Sequence, residues 1–191
     1  MILPIIGYGD PVLKRKAKEI SASYPNLKEL IGNMYETMYN ASGVGLAAPQ
    51  VGESIRLFII DTSPFLDMDD EKIQDLQVSR VKEVFINPTI VGETGESWLF
   101  EEGCLSIPNI RENIRRKSDI YIEYYDENFI SKKVNFSGIV ARVIQHEYDH
   151  IQGILFTDKL TSFKKRLLKN KLNNIEKGKI EIDYLMNFYQ K

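Results

Sequence analysis

Gln145-His146-Glu147-Tyr148-Asp149-His150 is the stretch around which the chain is organised. Its core is the pattern H-E-x-x-H, whose two histidines lie one turn apart and point the same way on a helix. Apolar and histidine side chains recur at helical spacing through this region and form one stripe, which consists of Ile139, Val143, His146 and His150. The pattern predicts a helix that turns both imidazoles inward, with Glu147 beside them.

Two interpretations of this helix are open on these residues alone. Histidines on an apolar stripe are often ordinary buried side chains that hydrogen-bond to the backbone. Alternatively, His146 and His150 bind one divalent cation and Glu147 acts as a general base. Burying two imidazoles and a carboxylate on adjacent turns is costly unless something pairs with them, which favours the metal interpretation.

Length and composition are those of a globular protein. The 191 residues are most simply one domain (1–191), of which 43% are hydrophobic and 27% charged. The net charge of −2 gives no overall case for nucleic-acid or membrane binding. The apolar start, residues 1–6, is too short for a signal peptide, and no stretch approaches the roughly 18 apolar residues of a membrane span. We therefore expect a cytoplasmic protein that binds neither membranes nor specific DNA.

Short apolar runs upstream of the histidine helix predict β-strands. The expected strands are Ile55–Asp61, Val84–Pro88 and the two arms of a hairpin at 119–136. Gly92–Gly95 is a predicted turn. Residues 62–81 read as a surface insertion, because acidic side chains cluster there: Asp67, Asp69, Asp70 and Glu71.

Helical spacing predicts two further helices. The first spans about residues 25–41, with Gly43 expected at the C′ position beyond its end. The histidine helix starts after Ser137, its expected N-cap, and is closed by Gly153. The C-terminal helix and tail occupy 162–191, and the apolar side of this basic helix consists of Leu167, Leu168 and Leu172. The residues from 180 to 189 are expected to form a short docking segment.

Two other segments have unusual composition. Gly43–Gln50 is small and apolar, and its glycines let another backbone approach closely. These residues favour a buried loop or strand over an exposed edge that pairs with an extended peptide. Glu101–Pro108 contains Cys104, the single cysteine of the chain. A lone cysteine is usually a small buried hydrophobe, but Cys104 is also the one soft ligand available to the histidines.

Cys104, His146 and His150 together offer one sulfur and two nitrogen donors. That set suits a tetrahedral metal site with one position left for water. A structural zinc site would need a fourth protein ligand, and the sequence has no other cysteine or histidine. Glu147 is adjacent, so activation of that water follows naturally.

The motifs G-V-G-L-A-A-P-Q, E-G-C-L-S and Q-H-E-Y-D-H, in that order, resemble the three motifs of the peptide deformylase family. Members of this family remove the formyl group from the N-terminal formyl-methionine of newly made bacterial proteins. The similarity extends from near residue 1 to about residue 176. It implies an α+β fold in which antiparallel β-sheets pack around a central metal-binding helix, followed by a C-terminal helix.

The resemblance also implies a chemical role for each motif. One divalent cation, Fe²⁺ in many members with Zn²⁺, Ni²⁺ or Co²⁺ also accommodated, is held by Cys104, His146 and His150. Glu147 takes a proton from metal-bound water, whose hydroxide attacks the formyl carbon, and passes that proton to the leaving amine. The side-chain amide of Gln50 and the backbone N–H of Leu105 stabilise the oxyanion.

Substrate contacts are implied in the same way. Main-chain pairing with the formyl-methionyl peptide is expected along Val44, Gly45 and Leu46. The methionine pocket is expected to be lined by Val44, Phe100, Arg142 through its aliphatic stem, and Val143. The remaining members of the expected substrate-binding set are Glu102, Gly103 and Arg111.

Two expectations concern residues outside the substrate path. Arg116 is expected to pair with Asp149 in support of the metal ligands. The basic helix 162–177 is either a solvated face or, as in bacterial relatives, a segment that docks on the ribosome.

Two other function classes compete with deformylation. An H-E-x-x-H zinc metallopeptidase would share the metal and the glutamate, but it typically takes a third His or a Glu downstream, and no later histidine exists here. Hydrolysis of formyl-Met-Ala-Ser without cleavage of an internal peptide bond separates the two. The third class is a non-enzymatic protein with a structural metal. The presence of Glu147 and of an open coordination position disfavours this class.

Overall fold

A five-stranded antiparallel sheet is the framework of the protein in the computed structural model, which describes residues 1–66 and 79–189. Each strand is antiparallel to its neighbours. In sheet order, which is also chain order, the strands are β2 (Gly45–Ala47), β3 (Leu57–Asp61), β4 (Lys82–Cys104), β5 (Ile107–Tyr125) and β6 (Ser131–Ser137). A separate parallel pair joins β1 (Ile5–Ile6) to β7 (Met186–Asn187).

The helices cover the sheet from both sides. Those described are α1 (Leu27–Asn40), α2 (Ser63–Leu66), α3 (Gly138–Ile151) and α4 (Ser162–Glu176). Phe58 of β3 packs in the cluster that holds α3, whereas its neighbour Leu57 packs in the cluster that holds α1. All five residues of β3 are therefore buried, which explains a continuous apolar run instead of an alternating one.

The predicted fold class is confirmed. The protein is α+β, and α3, the histidine helix, is buried along nearly its whole length. The hairpin at 119–136 is formed by β5 and β6 with the register that runs from Asp119 opposite Ser137 to Tyr125 opposite Ser131. None of the described helices has the length and apolarity needed to cross a bilayer.

The predicted turn at Gly92–Gly95 is wrong. β4 continues through these residues, and its register against β5 shifts between Ile90 and Gly92 and again between Thr94 and Ser97. Gly95 has a φ of +73°, which a glycine adopts without cost. The turn-forming residues therefore make β-bulges inside a long, twisted strand.

The prediction for the end of α1 is also wrong. Ser42, not Gly43, takes the left-handed conformation, with a φ of +53°. Gly43 is needed for a different reason, since a Cβ there would lie 2.8 Å from Cδ1 of Leu105. The helix end thus packs directly against the segment that carries Cys104.

The two ends of α3 differ in how well they match expectation. Ser137 stands at the N-cap, but its side chain makes no capping hydrogen bond. Gly153 follows the helix with a φ of +75°, and a Cβ at this position would meet the carbonyl oxygen of Lys14 at 2.6 Å. Gly153 therefore closes α3 as predicted.

The C-terminal region docks on the domain. Leu168 and Leu172 of α4 are buried, whereas Leu167, which was assigned to the same apolar side, is 65% exposed. The expected docking segment is confirmed, because β7 pairs with β1. Of the expected insertion at 62–81, α2 accounts for 63–66; the acidic group at 67–71 lies outside the described residues.

Candidate metal centre

Cys104, His146 and His150 converge in space from β4 and α3. Their ligand atoms all lie within 4.8 Å of one another. The Sγ atom of Cys104 is 3.2 Å from Nε2 of His150, and the two imidazole centroids are 5.1 Å apart. Metal–ligand bonds of roughly 2.0–2.3 Å separate the donors of a tetrahedral site by roughly 3.5 Å, so this spacing suits a single ion.

Cys104 lies where the β4–β5 ladder breaks. Gly103 pairs with Arg111, but Cys104 pairs with Ile107, so three residues of β5 bulge out between the two pairs. Leu105 and Ser106 form the two-residue turn that connects the strands. A bulge changes the direction of a side chain, and here the thiol reaches the histidines of α3.

Glu102 orients His146. Its Oε2 atom lies 3.0 Å from Nδ1 of His146, which leaves Nε2 as the nitrogen free to bind a metal. Burial alone would raise the pKa of the Glu102 carboxyl, but hydrogen bonds from His146 and Arg116 hold that pKa well below its usual range. The carboxylate is therefore ionised at neutral pH.

Two buried arginines enclose the same carboxylate. Arg116 donates to Glu102 from Nε at 2.7 Å and from Nη2 at 2.9 Å, and Arg142 donates from Nη1 at 2.6 Å. Arg116 also donates to Asp149 at 2.7 Å, so the predicted Arg116–Asp149 pair is confirmed. One histidine and two guanidinium groups therefore surround the Glu102 side chain, which the family resemblance assigns to the substrate-binding set.

Glu147 points toward β2. A Cβ on Gly45 would lie 2.5 Å from its Oε1 atom, so only glycine leaves space for the carboxylate. Oε2 of Glu147 is buried and has no hydrogen-bond partner among the described residues. Burial raises the pKa of Glu147 to about 7. A carboxyl that titrates near neutrality can both accept and return a proton.

Gln50 reaches the site from the short helical turn after β2. Its Oε1 accepts from the backbone N–H of Ala47 at 2.9 Å, which fixes the amide orientation. Its Nε2 then lies 3.5 Å from Sγ of Cys104 and 3.2 Å from Oγ of Ser106. Ser106 is fully buried and was not singled out in the sequence, although it belongs to the E-G-C-L-S motif.

Some of the expected substrate residues are buried or half-buried beside the site, and others lie at the surface. Val44, Phe100 and Val143 belong to one apolar cluster beside the site. The guanidinium of Arg142 lies over the Trp98 ring at 4.1 Å and within the protein interior. Arg111 is exposed and lies across the ladder from Gly103. β2 is the first strand of the sheet, and within the described residues its outer edge pairs with no other strand.

Fold and site together define a class of protein. The α+β domain places one thiol, two imidazoles and a buried carboxylate around one point. This arrangement makes the protein a candidate metal-dependent hydrolase. The third candidate ligand is a cysteine from the sheet and not a residue downstream of the H-E-x-x-H helix, which sets the site apart from that of typical zincin peptidases.

Comparison with known proteins identifies the family. The sequence profile of polypeptide deformylase matches residues 2–166. The peptide deformylase of Christiangramia forsetii is 61% identical over 191 residues, which cover 98% of this chain and 96% of that protein. The peptide deformylase of Flavobacterium psychrophilum is 58% identical and covers 100% of this chain and 99% of that protein.

Solved structures agree with the sequence comparison. The crystal structure of a peptide deformylase from Legionella pneumophila is 34% identical, with a TM-score of 0.79 over 94% of this chain and 98% of that one. The Plasmodium falciparum peptide deformylase is 35% identical, with a TM-score of 0.78 over 91% and 95%. The chain belongs to the polypeptide deformylase family. It is an enzyme, a deformylase that acts on formylated nascent peptides.

Proposed function

We propose that this enzyme hydrolyses the formyl group of N-terminal formyl-methionine with the help of one divalent cation, Fe²⁺ in the cell. The observation that carries the proposal is the convergence of the Cys104, His146 and His150 ligand atoms within 4.8 Å beside the buried Glu147. A thiolate and two imidazoles form a mixed donor set that suits Fe²⁺ and also accommodates Zn²⁺, Co²⁺ or Ni²⁺.

The residues around the ligands support this assignment. Glu102 occupies Nδ1 of His146, and the carboxylate raises the basicity of the nitrogen that remains. Arg116 in turn fixes Glu102 and Asp149. We therefore assign Glu102 to positioning His146 and not to binding the peptide. A divalent cation bound to Cys104, His146 and His150 would supply Lewis acidity, which would polarise the formyl carbonyl and lower the pKa of water.

Glu147 moves the proton. Its carboxylate lies on the turn of α3 between the two histidines and is shielded from solvent. It accepts a proton from the attacking water and returns it to the nitrogen that leaves when the formyl C–N bond breaks. The space beside Gly45 lets the carboxylate reach this position.

Two donors stabilise the charge that develops on the formyl oxygen. Nε2 of Gln50 is held in place because Oε1 accepts from Ala47 and Nε2 contacts Ser106. The backbone N–H of Leu105 follows Cys104 directly in the turn between β4 and β5. Hydrogen bonds from preorganised donors of this kind become stronger as the oxyanion forms. Because the donors are neutral, they do not compete for the metal.

The peptide binds along β2. The outer edge of β2 pairs with no other described strand, and apart from the Ala47 N–H, which donates to Gln50, it offers its main-chain groups to an extended substrate, as in β-strand addition. The apolar cluster of Val44, Phe100 and Val143, closed by the stem of Arg142, receives the methionine side chain. Arg111 and Gly103 lie at the rim, where the exposed guanidinium faces the rest of the peptide.

The helix α4 supports a proposal about where the enzyme works. Phe163 and Leu167 are 68% and 65% exposed on a helix that carries several lysines. A basic helix with exposed apolar side chains suits a ribosomal surface that presents RNA phosphates and protein. This supports the proposal that the enzyme works in the cytoplasm, at the ribosome where nascent chains emerge.

One experiment tests the proposed function. The protein is purified anaerobically, its metal content is measured, and hydrolysis of formyl-Met-Ala-Ser is compared with that of acetyl-Met-Ala-Ser and an internal peptide bond. We expect about one divalent cation per chain and hydrolysis of the formyl peptide alone. Activity that survives complete removal of the cation, or cleavage of the internal bond, contradicts the proposal.

A further inference from the structure

The C-terminal tail, residues 180–188, packs against the face of the domain that carries Cys104. Ile5 N–H donates to the carbonyl of Leu185 at 2.9 Å, and Gly7 N–H donates to Asn187 at 2.8 Å. The ring of Phe188 covers Gly7 so closely that a Cβ there would lie 2.7 Å away. Alternate tail residues are half-buried and face the domain: Ile180, Ile182, Tyr184, Met186 and Phe188.

The tail contacts both irregular features that flank Cys104. The hydroxyl of Tyr184 donates to the carbonyl oxygen of Leu105 at 2.8 Å. Asn109, which lies in the bulge of β5 with a φ of +61°, donates from Nδ2 to the carbonyl of Glu181 at 3.3 Å. One segment of chain therefore holds the turn on one side of the ladder break and the bulge on the other.

The Leu105–Ser106 turn depends on contacts from outside its hairpin. Neither residue has a positive φ, whereas two-residue hairpin turns favour the types that do, because those match the twist of the strands. Three groups from elsewhere bind the turn instead. Gln50 donates to the Ser106 hydroxyl, Tyr8 N–H donates to the Ser106 carbonyl at 2.9 Å, and Tyr184 donates to the Leu105 carbonyl.

We infer that Tyr184 is a positioning residue for deformylation, because its hydroxyl fixes the turn that carries the Leu105 backbone N–H next to Cys104. The carbonyl that Tyr184 holds and the N–H assigned to the oxyanion belong to the same residue. The N–H belongs to the peptide unit before the Leu105 Cα and the carbonyl to the unit after it. Restraining the carbonyl limits rotation about the two backbone bonds at this Cα, and the N–H then keeps its direction. The inference rests on the proposed function, in which this N–H stabilises the transition state.

The Tyr184→Phe variant tests the inference, because it removes the hydroxyl and retains the ring. The matched control is Tyr35→Phe, which removes a tyrosine hydroxyl that donates to the carbonyl of Glu83 at 3.1 Å, outside the site. Misdirection of one donor by a fraction of an ångström lowers kcat by about tenfold. We expect that loss in Tyr184→Phe, with KM for formyl-Met-Ala-Ser within about twofold, unchanged metal content and a Tm shift like that of Tyr35→Phe.

Three outcomes overturn the inference. They are an unchanged kcat, a rise in KM that accounts for the loss, and a loss of metal or of Tm well beyond that of Tyr35→Phe. If Tyr184→Phe does not fold, Tyr184→Leu replaces it, since leucine also lacks the hydroxyl that donates to Leu105; a wild-type kcat in that variant also overturns the inference. Failure of the proposed function is distinguishable, because the wild-type enzyme itself then lacks formyl-peptide hydrolysis.

Discussion

Gly45→Ala is the substitution whose effect follows most directly from the geometry. The added methyl carbon would lie 2.5 Å from Oε1, 2.8 Å from Cδ and 2.9 Å from Cγ of Glu147. A carbon–oxygen contact is comfortable at roughly 3.3 Å, so the carboxylate must move by roughly 0.8 Å. Glu147 is buried, and its neighbours leave little room for that movement.

The displacement of Glu147 sets the expected magnitude. A misplacement of about 1 Å in a catalytic group costs about 10²-fold in rate, which corresponds to about 2.7 kcal/mol in activation free energy. Overpacking of this kind also lowers the free energy of unfolding by about 1–3 kcal/mol. Because Glu147 is not a metal ligand in our proposal, we expect the cation to stay bound.

The assay is steady-state hydrolysis of a formyl peptide together with metal analysis and thermal unfolding. Gly32→Ala is the control, since no heavy atom lies within 4 Å of the new carbon on this exposed face of α1. That variant should gain up to about 1 kcal/mol of stability with unchanged kcat. A Gly45→Ala enzyme with wild-type kcat would refute the placement of Glu147 as the proton-transfer group.

Four further substitutions test the remaining assignments. Glu147→Ala should retain the metal by elemental analysis and lose hydrolysis; loss of the metal counts against its role as a base. Cys104→Ser should weaken metal binding in a chelator competition, and unchanged affinity removes Cys104 from the ligand set. Gln50→Ala should lower kcat by about 10²-fold or more, whereas near-normal turnover rejects the oxyanion role. Glu102→Ala removes the carboxylate that Arg116 and Arg142 share and leaves the buried Arg142 without its ion-pair partner, so chemical denaturation should show a loss of about 3–5 kcal/mol, and a stability within about 1 kcal/mol of wild type contradicts the network described.

The sequence was most informative where one local pattern determines the structure. Helical spacing placed His146 and His150 on one face of α3, and the structure shows that helix at Gly138–Ile151. The alternation at 119–136 predicted the β5–β6 hairpin. Both features depend on residues close together in the chain, which periodicity can detect.

Contacts between distant segments could not be predicted in the same way. Glu102 and His146 lie 44 residues apart, and only the folded ladder shows that the carboxylate faces an imidazole. The bulges at Gly92–Gly95 were mistaken for a turn because glycine serves both. Leu167 was assigned to the same apolar side as Leu168 and Leu172, yet α4 packs through Leu168, Leu172 and Ile175.

The C-terminal tail carried the least information in its sequence. Alternation from Ile180 to Phe188 is visible in the residue string, but nothing there says which surface the inward side chains meet. The hydrogen bond between Tyr184 and the Leu105 carbonyl joins residues 79 positions apart. The sequence shows that Cys104 precedes Leu105. Only the three-dimensional structure shows that Tyr184 reaches this part of the site.

Anomalous diffraction from crystals of the anaerobically purified enzyme, collected on both sides of the iron absorption edge, tests the central claim most directly. We predict a single anomalous peak within bonding distance of Sγ of Cys104 and Nε2 of both His146 and His150. A peak elsewhere in the protein, or full activity in crystals of the same preparation without any peak at these three atoms, contradicts the account.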